Sequence, residues 1–137
     1  MTKTQTQETP RTRVEAVCDK YIAKYEKAVE KFNADAAINP LSAIEWKTAE
    51  IAKTSVAYRE AFNIKQGLAK SDDENKTLNN IQKWIARERK DFDRIRVARS
   101  TSAIANEIEN YQTEARVEML FSSYGFFREL EDAINDR

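Results

Sequence analysis

The stretch VEAVCDKYIAKYEKAVEKF, residues 14–32, decides the fold of this chain. Its apolar residues recur at alternating steps of three and four, which is the spacing of one face of an α-helix at about 100° per residue. The members of this face are Val14, Cys18, Tyr21, Tyr25, Ala28 and Phe32. The stretch therefore predicts a long amphipathic helix, which has to bury its apolar face against other elements of the fold.

The charged residues of the same stretch are sorted by sign on the two sides of the apolar face. Four lysines lie on one side and four acidic residues on the other: Lys20, Lys24, Lys27 and Lys31 against Glu15, Asp19, Glu26 and Glu30. Flanking charges of this kind select partners and orientation in helix packing more than they add stability. The pattern thus predicts the docking of helices and indicates no reaction.

Start signals divide the rest of the chain into further helices. Thr9-Pro10 and Asn39-Pro40 each offer a capping residue followed by proline, so we expect helices from about residue 11 to about residue 36 and from residue 40 onward. Gly67 is the expected end of the second helix. The main apolar face of that helix is predicted to comprise Leu41, Ile44, Ile51, Ala52, Tyr58 and Phe62.

A third helix is expected after the acidic residues 72–74, because acids suit the positive end of a helix dipole. Its predicted apolar face is Leu78, Ile81, Ile85, Phe92 and Ile95, with Trp84 at the edge. Glu88 projects onto this face and therefore needs a cationic partner, for which Arg96, Arg99 or a basic residue on a facing helix are candidates.

The last part of the chain carries two irregularities. Residues 100–102 predict a break or a kink. After Ala115 the apolar residues move to the other side, which implies a kink, a second short helix or burial on both sides. The predicted fold is therefore all-α, a compact bundle of four or five amphipathic helices. We expect residues 1–10 to form a disordered tail and residues 11–137 a single domain.

Composition argues against an enzyme. The chain contains no histidine and a single cysteine, Cys18, so it lacks the commonest general base and the commonest metal ligand. Carboxylate pairs such as Glu26 with Glu30 have no histidine beside them to complete a di-iron site. We expect no catalytic residues, no cofactor and no metal. The single cysteine and the absence of a long apolar stretch indicate a cytoplasmic protein without a membrane partner.

The segment MLFSSYGFF, residues 119–127, is the densest apolar patch of the sequence. Its aromatic residues spread around most of a helix, which places it either in the middle of the bundle or at a docking surface. Gly125 inside a predicted helix costs about 1 kcal/mol relative to alanine, and a close approach by another backbone would explain that cost. Together with a secondary face of the second helix, the candidate protein interface is Trp46, Ile64, Phe121, Tyr124, Phe126 and Phe127.

A basic stretch covers residues 83–99, in which seven cationic residues accompany three acidic ones. Four of the cations form a stripe opposite the apolar face: Lys83, Arg87, Lys90 and Arg94. Such a stripe is either a solvated helix face with ordinary ion pairs or a track for a phosphate backbone. Residues 100–137 are acidic overall, and they would pair with the basic stretch within the fold or between subunits.

Two hypotheses follow for the function. The first is a small non-enzymatic helical interaction protein that docks to a larger protein or to itself. Chains of this general type are frequent among phage and mobile-element accessory proteins that inhibit a host enzyme. The alternative is a nucleic-acid backbone binder, or a helical subunit of a nucleoprotein complex, that uses the basic stripe. Charge reversal of that stripe abolishes function under the second hypothesis and spares it under the first.

Overall fold

A computed structural model describes residues 8–92 and 103–137 of the chain. These residues form five α-helices and no β-strand, which confirms the prediction of an all-α bundle. The helices are α1 (Pro10–Ile38), α2 (Pro40–Ala69), α3 (Glu74–Asp91), α4 (Ala103–Phe121) and α5 (Phe126–Asn135). Several predictions lie outside the described residues: most of the N-terminal tail, the apolar Ile95, the arginines at 94, 96 and 99, and the break at residues 100–102.

A single residue joins the first two helices. The backbone N–H of Asn39 donates to the carbonyl of Asp35 at 2.8 Å and ends α1, while its Oδ1 accepts from the backbone N–H of Ser42 at 3.2 Å and caps α2. With 29 and 30 residues, the two helices are each about 45 Å long. The rings of Tyr25 and Tyr58 stack at 4.2 Å between them, and the pair forms an antiparallel hairpin.

The core lies at the open end of this hairpin, where α3, α4 and α5 close over it. It takes buried residues from all five helices: Val14, Cys18, Ala61, Ile64, Leu68, Leu78, Ile81, Ile85, Met119, Leu120, Phe126, Phe127, Leu130 and Ala133. The predicted face of α3 is confirmed for Leu78, Ile81 and Ile85, which are buried, and Phe92 at its end is half-buried. In α1, Val14, Cys18 and Ala28 of the predicted face are buried as well.

The predicted face of α2 is wrong for its first two turns and for Phe62. Leu41, Ile44 and Phe62 are 78%, 56% and 45% exposed. The buried positions of α2 are Ala43, Ala52, Ala61, Ile64 and Leu68. Because α2 packs against both α1 and α4, its contacts fall on two sides, and small alanines allow the close approach that those contacts need. The helix also continues two residues past the expected end at Gly67.

The change of apolar side after Ala115 is resolved by a second short helix. A turn over residues 122–125 ends α4 and starts α5. Gly125 is the N-cap of α5 rather than a residue inside a helix, with φ −82°. A Cβ atom at this position would lie 2.2 Å from the carbonyl oxygen of Glu118. The close approach is therefore made by the preceding helix of the same chain.

Candidate protein-docking site

Four large apolar side chains are exposed where α1 meets α2. Ile38 is 87% exposed, Leu41 78%, Ile44 56% and Trp46 71%. We call these four residues the hairpin end. Leu41 and Ile44 are three residues apart and thus lie on the same side of α2, whereas Trp46 is about 140° away from Leu41 around the helix. The hairpin end therefore presents apolar surface on two sides.

The tight link at Asn39 explains why these side chains are exposed. The buried residues nearest the link are alanines, Ala28 in α1 and Ala43 in α2, which bring the two helices close together. Larger side chains at neighbouring positions are directed away from that contact. Burying one side chain the size of leucine or isoleucine contributes about 1.5–3 kcal/mol, so a protein that covers this surface gains a substantial free energy. Exposure of several large apolar side chains at one end of the fold makes the hairpin end a candidate docking site.

The predicted interface residues separate into two groups. Trp46, Phe121 and Tyr124 are exposed, at 71%, 52% and 88%. The other three are in the core instead: Ile64, Phe126 and Phe127 are 7%, 1% and 0% exposed. The sequence left both a core position and a docking surface open for these residues, and Ile64, Phe126 and Phe127 lie in the core.

The two aromatic residues that begin α5 are buried because this helix closes the core. The ring of Phe126 packs at 4.7 Å from that of Tyr21, and the ring of Phe127 at 4.9 Å from that of Trp84. On a single helix over residues 119–127, these rings would spread around most of its circumference. In the structure, α5 is a separate helix, and its buried residues lie on one face: Phe126, Phe127, Leu130 and Ala133.

Sequence reasoning missed the exposure of Ile38, Leu41 and Ile44. It placed Leu41 and Ile44 on a buried face because their spacing is helical. The available signal was their position on either side of Asn39-Pro40. Residues at the end of a hairpin have a helix on one side only, so large apolar residues there lack a second neighbour that would cover them.

The basic stripe is exposed over the part that the structure describes. Lys83, Arg87 and Lys90 are exposed, and within residues 8–92 and 103–137 none of their side chains has a hydrogen-bond or ion-pair partner. Arg89 lies beside the stripe and behaves differently. Its Nε donates to the carbonyl of Leu120 at 2.7 Å, and its Nη2 lies 2.7 Å from Oε1 of Glu131. At this point the basic third helix pairs with the acidic C-terminal part within the fold.

Glu88 finds its cationic partner on a facing helix, one of the alternatives expected from the sequence. Its Oε2 lies 4.0 Å from Nη2 of Arg116 in α4, and its Oε1 accepts a hydrogen bond from Nε1 of Trp84 at 3.1 Å. Glu60 of α2 belongs to the same group of charges. Burial raises the pKa of Glu60, the negative charge of Glu88 raises it further, and Arg116 and Arg59 oppose the rise. The group connects α2, α3 and α4.

Searches for other kinds of site give negative results for the described ranges. Residues 8–92 and 103–137 hold no group of three or more histidine, cysteine or acidic residues placed to bind a metal ion. None of the helices in the same ranges is long and apolar enough to cross a membrane. Cys18 is fully buried, and burial raises the pKa of its thiol to about 12, so it is a poor nucleophile in the folded protein.

Comparison with models of protein families, with curated proteins and with solved structures finds no match.

Proposed function

We propose that this chain is a non-enzymatic docking protein, which binds another protein through the hairpin end. The observation that carries the proposal is the exposure of Ile38, Leu41, Ile44 and Trp46, each by more than half, at one end of the fold. This surface lies outside the buried cluster that holds the five helices together, so it is available without unfolding. An accessory protein that inhibits a larger protein by covering part of it would act in this way.

A second copy of the chain is the first partner to test, because a net charge of zero opposes self-association only weakly. Sedimentation velocity from about 1 µM to about 1 mM covers the range of weak and moderate dimers. The informative variant is Leu41→Asp with Ile44→Asp. The matched control is Asn63→Asp with Asn79→Asp, which adds the same charge at two exposed polar positions.

A photoreactive side chain at position 41, compared with one at position 79, extends the test to other proteins in the cells that produce the chain. A cross-linked protein is then purified and its dissociation constant measured. We expect the variant at 41 and 44 to weaken binding, of a copy or of that protein, about a hundredfold, because two large apolar side chains lose their burial. The proposal is contradicted if the chain is a monomer at every concentration and the probe at position 41 cross-links only the proteins that the probe at position 79 also cross-links.

A second candidate function is binding to a nucleic-acid backbone through the basic stripe. It is favoured by the exposure of Lys83, Arg87 and Lys90, for which the described residues provide no ion pair. Such a stripe gains affinity from the counterions that each phosphate releases.

Fluorescence anisotropy with single-stranded DNA, duplex DNA and RNA tests this candidate between about 50 and 200 mM salt, where phosphate contacts weaken steeply. Reversing the charges of Lys83, Arg87 and Lys90 should abolish binding, while reversing three exposed lysines of α1 should not. Binding that is absent at the lowest salt, or insensitive to the stripe, contradicts this candidate.

A further inference from the structure

A cavity opens on the side of the bundle where α1, α2 and α4 meet. Its volume is about 180 Å³, and the turn before α5 closes one end of it. The lining is mixed, with Ala57, Ala115 and Met119 as apolar floor and Lys24, Lys53 and Glu118 at the rim. At about 30 Å³ per molecule in the liquid, the volume corresponds to roughly six waters. It is thus large enough for one big side chain and too small for most cofactors.

We call the strip of surface that runs along α1 and α2 from this cavity to Trp46 the groove. Trp46, Lys53 and Ala57 lie within about 40° of one another around α2, so they share one side of that helix. Lys27 and Lys31 follow Lys24 on one side of α1 in the same direction, because the two helices are antiparallel. From Ala57 to Trp46 the groove is about 16 Å long, which is the length of three helical turns.

The α1 side of the groove carries positive charge that the protein does not neutralise itself. Lys27 and Lys31 are exposed, and their side chains have no hydrogen-bond or ion-pair partner in residues 8–92 and 103–137. The ammonium group of Lys24 lies 4.5 Å from the centre of the Tyr21 ring and makes no ion pair in those ranges. In contrast, Lys20 of the same row is bound to Glu129 at 2.6 Å. The three lysines are therefore available to an acidic partner.

We infer that this groove binds an amphipathic helix of a partner protein, with one large apolar side chain in the cavity and acidic residues against Lys24, Lys27 and Lys31. Trp46 supplies exposed aromatic surface at the other end of the groove. Helix-in-groove recognition uses this combination of a central apolar anchor and charged flanks. The inference rests on the proposed function, from which it takes that the partner is a protein. It adds that the partner presents an acidic amphipathic helix, and it adds the groove as a contact surface.

The opposite side of the groove favours a protein over a nucleic acid. Glu118 lines the cavity, and Glu114 lies 3.7 Å from the ammonium group of Lys53. These carboxylates repel a phosphate backbone, which carries negative charge on all sides. An amphipathic helix can place its acidic residues on the side that faces the lysines of α1 and keep them away from these carboxylates. A second copy of α1 is a poor occupant, because Val14, Cys18 and Ala28 of its apolar face are buried in its own fold.

The test uses two labelled synthetic helices of about 14 residues with one central phenylalanine. The flanking positions are glutamate in one peptide and lysine in the other, and an oligothymidylate of similar length serves as the nucleic-acid probe. Fluorescence anisotropy measures binding to the whole chain and to three variants. The variants are Lys24→Glu/Lys27→Glu/Lys31→Glu, the milder Lys27→Gln/Lys31→Gln, and the charge-matched control Arg59→Glu/Lys70→Glu/Lys76→Glu.

We expect the acidic helix to bind, the basic helix to bind at least tenfold more weakly, and the first variant to lose at least tenfold in affinity. The Lys→Gln pair should lose about threefold and the control less than twofold. The variant Leu41→Asp with Ile44→Asp should retain peptide binding, since neither residue lies in the groove. It thereby separates failure of this inference from failure of the proposed function.

Three results overturn the inference. The first is no binding of the acidic helix up to about 1 mM. The second is binding that the reversal of Lys24, Lys27 and Lys31 leaves unchanged. The third is oligothymidylate binding that the same reversal abolishes, which would assign the groove to nucleic acid. Circular dichroism and thermal unfolding of each variant establish that the fold is retained.

Discussion

The two glycines of this chain should respond to alanine substitution in opposite directions. A Cβ atom at Gly125 would lie 2.2 Å from the carbonyl oxygen of Glu118 and 3.2 Å from that of Met119. At Gly67, which is inside α2, a Cβ atom meets nothing within 4 Å. The same change therefore creates a severe steric overlap at one position and fills open space at the other.

The magnitude at Gly125 follows from the contacts that would have to move. The turn must shift by about 1 Å to reach an ordinary contact distance. The obstacle is backbone, and the same turn holds the 3.0 Å hydrogen bonds from Ser122 N–H to Glu118 and from Gly125 N–H to Ser122. Overpacking costs about 1–3 kcal/mol and a strained hydrogen bond about 1 kcal/mol, while the loss of glycine's freedom in the unfolded chain returns up to about 1 kcal/mol. We expect Gly125→Ala to lower the free energy of unfolding by about 2 kcal/mol.

Gly67→Ala should raise the free energy of unfolding by about 1 kcal/mol, because alanine is the better residue in a helix. Urea unfolding followed by circular dichroism measures both variants against the parent chain, and thermal unfolding should show a decrease of several degrees for one and an increase for the other. A Gly125→Ala variant as stable as the parent would refute the close packing of the turn against α4.

Three further predictions test the core, a buried thiol and an interhelical contact. Phe127→Ala should lower the free energy of unfolding, measured in urea, by about 3–5 kcal/mol. Tyr124→Ala should change it by less than about 0.5 kcal/mol. Equal effects would contradict the assignment of Phe127 to the core and Tyr124 to the surface. The thiol of Cys18 has its pKa raised to about 12, so the native state keeps a proton that the unfolded chain releases above about pH 9. The free energy of unfolding should therefore fall as the pH rises from about 9 to about 12, because deprotonation of this thiol favours the unfolded chain. Urea titrations at several pH values should show a smaller fall for the Cys18→Ala variant than for the parent chain. Arg89→Lys should destabilise by about 1–2 kcal/mol despite keeping its charge, because one ammonium nitrogen does not reproduce the two separate donors, Nε to Leu120 and Nη2 to Glu131. An unchanged urea midpoint would show that this contact contributes nothing.

The helices that pack on one side could be predicted from the sequence. In α1 the alternating steps of three and four continue over five turns, and the buried Val14, Cys18 and Ala28 lie on the predicted face. In α3 a single apolar face contains the buried Leu78, Ile81 and Ile85. Periodicity identifies a buried face correctly here because each of these helices has its main contacts on one side.

The helix with contacts on two sides could not be predicted in the same way. Apolar residues occur on several sides of α2, and periodicity alone does not say which of them another helix covers. Ala52 and Ala61 are buried because small residues let a neighbouring backbone approach, a signal much weaker than that of a large side chain. The candidate site depends on the same question, since Leu41 and Ile44 satisfy a helical pattern and are still exposed.

The separation of core and exposed apolar surface along the hairpin has a consequence for function. The residues that stabilise the fold lie near the open end, where Phe126 and Phe127 fill the space between the helices. The four residues of the hairpin end lie at the other end, on both sides of Ala43 in the sequence. Substitutions at Leu41 or Ile44 therefore remove no contacts from the core, whereas substitutions at Phe127 change folding first. A partner that covers the hairpin end would bind a surface that the chain keeps apolar although its own stability does not require it.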